Sequence, residues 1–221
     1  MYRVKVIFEA KKGIYFNNSY KHYFKSFFER HCPEGFYVFS DVIPQKTKKT
    51  ENGFWAIGKI AFYFSHYNPE TLVNLTIKLL EEKITINDFQ VLKAEKTEFI
   101  KPKNEYNAYL WSPLLVVDNN LKPVEYEREP ERFNELMRLN LINKYEKVYG
   151  NYPEDDRFIF LFKNNFTKIK EGDFALYKGA FEIIGSEELL KVAYICGLGC
   201  FNENGYGMIT DNLYVWKRLN I

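Results

Sequence analysis

The succession of apolar periodicities constrains this chain most, because one order, strand–helix–strand–strand–helix–strand, reads out twice along its 221 residues. In residues 2–9, Tyr2, Val4, Val6 and Phe8 alternate with Arg3, Lys5, Ile7 and Glu9, the period-two pattern of a strand with one strongly apolar face. Asn17, Asn18 or Ser19 then offers a helix cap. Tyr20, Phe24, Phe27 and Phe28 follow as a stripe at helical spacing, with Lys21, Lys25 and Glu29 toward the other side, until Pro33 stops the helix. Residues 36–43 and 54–65 read as strands joined by a polar, lysine-rich connection. Residues 69–82 read as a helix with Leu72, Leu75, Leu79 and Leu80 toward the core, and 84–94 as the closing strand.

The second half repeats the order: strand 109–117, helix 131–149, strands 157–163 and 174–184, a helix from Ser186 to about Ile195, and a closing strand 205–215. The charged stretch Ile100-Lys101-Pro102-Lys103-Asn104 lies between the halves, giving expected domains 1–103 and 104–221. The expected fold class is α+β, two tandem ferredoxin-like (βαββαβ) domains. That fold hosts many unrelated activities, so function has to come from particular residues.

Between the last helix and the last strand, Gly197, Gly199, Gly205 and Gly207 bracket Asn202. Glycine reaches positive φ without a steric penalty and lets another chain approach the main chain, so bare N–H groups could point into a concavity that favours an anion such as phosphate. A purely structural turn is the alternative. A nucleoside triphosphate or dinucleotide site does not fit, because the glycines follow a helix rather than a first strand and no Gly-Lys-Ser/Thr ending is present.

Composition narrows the rest. The formal charge of +2 does not announce nucleic-acid binding, so any such site must come from local clusters: Lys46, Lys48 and Lys49 form one, and Lys163, Lys168 and Lys170 another. The 17 tyrosines and 20 phenylalanines supply core and also faces on which bases could stack. Three cysteines without Cys-X-X-Cys spacing, and no evident signal peptide or long apolar span, predict a reduced, cytoplasmic protein without a membrane segment. The three histidines, His22, His31 and His66, lack metal-ligand spacing, so no metal or cofactor is expected in the chemistry.

The paired ferredoxin-like order and the late glycine loop resemble the repeat-associated RNA-binding superfamily of CRISPR systems. Within it, the chain is similar to the Cas-six type endoribonucleases. Residues 111–117, the helix end 144–150 and the segment 188–194 before the glycine loop support the likeness. The resemblance implies metal-free cleavage of CRISPR precursor RNA within its repeats, leaving a 5′-hydroxyl and a cyclic phosphate. It implies CRISPR repeat RNA as partner, and leaves open a CRISPR effector complex and a homodimer.

The chemistry needs a base to take the ribose 2′-hydroxyl proton and an acid to protonate the departing 5′-oxygen, and histidine, with an unperturbed pKa of ~6.5, suits either role. The family places its catalytic histidine between the first helix and the next strand, which selects His31. A helix-terminal or packing histidine is the competing reading of that position. His22 on the same helix is the alternative, and His66 reads as a turn residue. Tyr37 could assist as a hydroxyl donor, and Lys46 or Lys25 could stabilise charge on the phosphorane oxygens. Gly197, Gly199, Asn202, Gly205 and Gly207 are expected to shape the RNA-facing wall, with Lys25, Lys48, Lys49, Lys168 and Lys170 on the phosphate backbone, although lone lysines are usually solvated surface. Two other classes stay open: an RNA-holding subunit that does not cut, and a protein-interaction scaffold.

Overall fold

The computed structural model describes residues 2–81, 90–98, 104–164 and 166–211. The first half runs β1 (Tyr2–Asn17), α1 (Lys21–His31), β2 (Tyr37–Phe39), β3 (Ile43–Thr50), β4 (Gly53–His66), α2 (Pro69–Glu81) and β5 (Gln90–Glu98). The second runs β6 (Glu105–Leu110), α3 (Pro130–Tyr149), β7 (Phe158–Phe162), β8 (Thr167–Glu171), β9 (Phe174–Lys178), β10 (Ala180–Gly185), α4 (Glu187–Cys196) and β11 (Ile209–Thr210). The first sheet is ordered β2-β4-β1-β5, with β3 continuing the β2 edge along β4; the second is ordered β11-β6-β10-β7. All pairs are antiparallel. Numbering the strands within each βαββαβ unit, both sheets have the order 4-1-3-2, so the duplicated sequence pattern is a duplicated ferredoxin-like topology.

Each half has its own core. In the first, the aromatic stripe of α1 lies on the sheet: Phe24 stacks on Phe62 with ring centroids 4.1 Å apart, and Val4, Val6 and Phe8 are buried with it. In the second, Phe133, Met137 and Leu141 of α3 and Leu189 and Val192 of α4 bury against Phe160, Phe181 and Ile183. The helices begin where local chemistry dictates. The Asn68 Oδ1 accepts from the Glu70 and Thr71 N–H groups ahead of α2, Pro130 opens α3, and the Ser186 Oγ accepts from the Leu189 N–H at the start of α4.

Several expectations change. The lysine-rich connection is a strand, β3, because residues 43–50 pair with β4 through a tight turn at residues 51–52. The strand expected over 36–43 pairs regularly only at Tyr37–Phe39, and that over 109–117 stops at Leu110, after which only two isolated bridges follow among the described residues, Leu114 to Tyr177 and Val117 to Pro123. The strand expected over 174–184 is two, β9 and β10, divided at Gly179, with β9 pairing β8 as an inserted hairpin. Leu80 is 51% exposed while Leu72, Leu75 and Leu79 are buried, so the core stripe of α2 is narrower than four leucines. The closing strand expected over 205–215 is Ile209–Thr210, and residues 212–215 lie outside the described residues, as do 84–89 of the earlier closing strand and 100–103 of the expected boundary.

Around the start of β1 the first sheet is buried on both faces, which its alternating pattern did not suggest, while farther along the same outer face Trp55 and Ile57 are exposed. Arg3, Lys5 and Ile7 point away from the helices yet are all less than a tenth exposed. The Arg3 guanidinium donates to the Ile209 and Tyr194 carbonyls at 2.6 Å each and lies 3.8 Å over the Tyr194 ring. The Ser65 hydroxyl donates to the Ile195 carbonyl at 2.8 Å, and Tyr63 packs on Trp111 with ring centroids 4.0 Å apart. The back of one sheet thus seats α4 and the strand-ends of the other half. No helix among the described residues is long and apolar enough to cross a membrane.

Candidate nucleic-acid interface

After α4, the chain turns at Gly197 (φ 84°), passes a 3-10 turn at Asn202–Asn204, and returns through Gly205 (φ 78°) and Gly207 (φ 73°). Its neck is closed by the Leu198 N–H donating to the Gly207 carbonyl at 2.9 Å. The Cys200 N–H donates to Leu115, the Gly205 N–H to Asn202, the Gly207 N–H to Pro113 and the Met208 N–H to the Ser112 hydroxyl. The Asn202 amide, itself buried, spans the loop by donating to the Leu198 and Tyr206 carbonyls at 2.9 Å each. The expected cradle of bare N–H groups is therefore largely spent inside the protein. The glycines instead permit close approach. A Cβ on Gly207 would overlap the Leu198 carbonyl, on Gly199 the Leu115 carbonyl, on Gly205 the Phe39 ring, and on Gly197 the Asn202 amide and Val38. Because Val38 and Phe39 belong to β2, two of these contacts dock the loop onto the first half.

Two lysines fasten the loop from outside. The Lys144 Nζ, from α3, donates to the Gly197 and Gly199 carbonyls at 2.8 Å each, and burial pushes this amine down to about 8. The Lys21 Nζ, from the first turn of α1, donates to the Gly205 carbonyl at 2.9 Å, lies 4.9 Å from the Tyr206 ring centre and is 2.8 Å from an Asp41 oxygen. Asp41 also pairs with Lys178 of β9. Burial is the largest single influence on its carboxyl and pushes it up, but Lys21 and Lys178 together outweigh it and hold the group below the ordinary carboxylate range. The Asp41 pair stands in a groove of about 670 Å³ between the halves, where Tyr20, Thr47, Lys49 and Trp111 also line the wall.

At the other end of α1, His31 is half-buried with its ring 4.9 Å from that of Phe27, continuing the aromatic stripe. Tyr37 begins β2 and is 2% exposed, stacked on Phe28. Its hydroxyl makes no hydrogen bond among the described residues, and burial, with the Glu29 and Glu203 carboxylates nearby, pushes it well above the ordinary phenol range. Glu203 belongs to the 3-10 turn of the glycine loop, and both α1 and β2 contact that turn. His66 ends β4 opposite Tyr37, with Nε2 3.1 Å from the Gly35 carbonyl and Nδ1 accepting from the Asn68 N–H at 3.0 Å; burial lowers its pKa. It is a buried histidine that fixes two turns.

The family model described as CRISPR associated protein Cas6, C-terminal, matches residues 92–210, more than half of the chain. The chain belongs to the Cas6 family. It is 24% identical over 184 residues to the CRISPR-associated endoribonuclease Cas6 of Pyrococcus furiosus, a match that covers 80% of this chain and 60% of that relative's length. It is 29% identical over 188 residues to CRISPR-associated endoribonuclease Cas6 1 of Methanocaldococcus jannaschii, covering 80% of this chain and 73% of the relative. A solved structure titled CRISPR associated protein Cas6 superposes with a TM-score of 0.77 at 23% identity over 96% of this chain and 99% of its own, which agrees with the tandem ferredoxin-like fold.

For this Cas6-family chain, the expected site residues do not form one cluster. Tyr37 and the glycine loop come together where β2 meets the 3-10 turn, with Glu203 of that turn near the Tyr37 hydroxyl, whereas His31 stands at the far end of α1 from Lys21, the α1 residue that holds the loop. Lys25, 3.5 Å from Glu29, joins His22, Asn204 and Tyr206 around a smaller pocket of about 180 Å³. Lys46 does not belong with either. It pairs with Ile57, nine residues along β4 from the partner of Tyr37, so the two lie roughly 30 Å apart at strand rise. Strand alternation also divides the first lysine cluster: Lys49 faces the groove, while Lys46 and Lys48 face away. Lys168 is paired with Glu125 at 2.9 Å, Lys170 is exposed along the same strand's polar run, and Lys163 bonds Asn107 on the second sheet. Lys21, Asp41, Lys144 and Lys178 carry no distinguishing signal in the sequence, since each sits in a pattern that equally describes solvated charge.

Proposed function

We propose that this Cas6-family chain is an endoribonuclease that cuts CRISPR precursor RNA within its repeats without a metal ion. The 2′-oxygen attacks the adjacent phosphorus and the 5′-oxygen departs, leaving a cyclic phosphate and a 5′-hydroxyl. The observation that carries this reading is His31, a half-buried imidazole at the end of α1, on the helix that also meets the glycine-loop turn. Its role is to take or give the proton in transfer, which contributes ~10²–10⁴ in rate for a positioned acid or base. The names of the two relatives, both endoribonucleases, support the substrate class. RNA would follow the groove that Lys49 and Lys178 border, with the glycine loop acting as a rigid wall.

A second reading, an RNA-holding subunit that does not cut, is favoured by one observation. None of the three proposed helpers is shown beside His31: Tyr37 is buried, Lys46 lies far along the sheet, and Lys25 is 3.5 Å from Glu29 and lines the pocket with His22. Incubating the purified protein in chelator with a 5′-labelled repeat RNA from its host, beside the same RNA with a 2′-deoxy nucleotide at the mapped cut, separates the two. A single cut lost on deoxy substitution supports the nuclease. Tight binding without a cut supports the holding subunit, and a cut restored only by divalent ion excludes the metal-free mechanism.

A further inference from the structure

We propose that the outer face of the β1–β4–β3 ribbon, the face turned away from the interdomain groove, is a second contact surface for single-stranded RNA, with Trp55 as its stacking platform. This rests on the reading of the chain as an RNA-binding protein and adds a site remote from His31. The register builds the face. Trp55 pairs with Tyr15 on one side and Lys48 on the other, and two residues along, on the same face, Ile57 pairs with Lys46. Tyr15 and Trp55 have ring centroids 5.5 Å apart, and Trp55 is 41% exposed. Exposing an indole beside a tyrosine and a 39% exposed Ile57 leaves a sizeable apolar surface on a ribbon with no layer over it among the described residues.

Charge selects the occupant. Lys46 and Lys48 are exposed and form no ion pair among the described residues, whereas Lys168 is already matched by Glu125 and Glu127. Glu9, farther along the same face, stands opposite Lys59. An unneutralised pair of lysines flanking aromatic faces fits a polyanion whose bases are free to stack, which is single-stranded RNA rather than a duplex. The path is continuous as well. β3 pairs only with β4 among the described residues, so its outer edge is open, with Lys49 on the groove side and Lys46 and Lys48 on the other. A strand leaving the groove past Lys49 crosses that edge onto the Trp55 face.

The test uses the full chain and a fluorescein-labelled single-stranded RNA, the host repeat extended by ten nucleotides, followed by anisotropy at low temperature across a salt series. Trp55→Ala is expected to weaken binding about 5- to 150-fold, the range for removing one stacking side chain, while Trp55→Phe keeps most of the affinity. The double variant Lys46→Ala with Lys48→Ala should lower the slope of log affinity against log salt by about 1.4. RNA should quench tryptophan emission in the parent more than in Trp55→Phe. If the parent binds RNA and all three variants match it in affinity, slope and quenching, the platform is wrong while the RNA reading stands; if the parent binds no RNA, both fall. Conversion of a dimer to a monomer by Trp55→Ala in sedimentation velocity, with RNA affinity unchanged, would assign the face to a second copy and overturn the proposal. Should Trp55→Ala fail to fold, the solvent-exposed lysine pair and Trp55→Phe still decide it.

Discussion

Replacing Gly207 by alanine isolates what the glycine loop is built for. The backbone at Gly207 has φ 73°, and a Cβ there would overlap the Leu198 carbonyl and come within 2.8 Å of the Asn202 amide nitrogen. Two costs add: ~1–2 kcal/mol for an L-residue in the left-handed region, and ~1–3 kcal/mol for overpacking a site whose nearest neighbour is backbone and cannot swing away. Gly172 provides the internal control. Its φ is 58°, but a Cβ added there would meet nothing within 4 Å, so Gly172→Ala bears the first cost alone. The expected difference between the two variants is about 2 kcal/mol in urea unfolding, or about 4–8 °C in Tm for a chain of this size. A displaced neck would also disturb the Asn202 bridge, so the true difference should exceed this sum rather than fall short. If Gly207→Ala is no less stable than Gly172→Ala and loses RNA binding selectively, the loop's glycines serve an anion, and internal packing is not what they are for.

Three further outcomes follow from the same geometry. His31→Ala should fold and bind repeat RNA but cut it at least ~10²-fold more slowly in a single-turnover assay, whereas Tyr37→Phe, which removes a buried hydroxyl, should cut within a few-fold of the parent. Lys144 is held at about 8 in the fold, below the ordinary amine value, so between about pH 8 and 10.5 the unfolded chain binds more protons than the native one. Unfolding free energy should therefore rise through that window by about 3 kcal/mol in the parent relative to Lys144→Met, measured by urea titration at each pH. Asp41 gives the same sign of pH dependence in an acidic window: its carboxyl lies below the ordinary range, so its contribution is present above that range and is lost as pH falls through the native value. Asp41→Asn should cost about 1–3 kcal/mol near neutral pH, with the gap to the parent closing in acid.

The order of elements was legible because each half carries its own periodicities: the rings of α1 at helical spacing, the alternation in β1, the leucines of α2. What alternation could not supply was the environment of the face opposite the core. Arg3 and Lys5 read as solvent-facing by type, and both are buried because a second domain covers the sheet, a fact held in no local window of sequence. The glycine loop is legible in sequence, but which of its two readings holds, an anion cradle or a structural turn, is not. Positive φ and close approach are both reasons for glycine, and only the positions of Phe39, Leu115 and Leu198 decide between them.

The lysines show the same division between pattern and placement. Lys46, Lys48 and Lys49 form one patch in sequence only if residues 43–50 are a loop. Once they pair as a strand, successive side chains must part, and one cluster becomes two surfaces, Lys49 on the groove and Lys46 with Lys48 beside Trp55. The strand itself had no apolar alternation to announce it, since its outer residues are nearly all exposed, and its pairing is drawn from β4 rather than from its own composition. A catalytic role for Lys46 required the loop reading, because a flexible connection could fold back toward His31. A paired strand cannot, and the same rigidity that removes Lys46 from the surroundings of His31 fixes it on one face with Lys48 and Trp55.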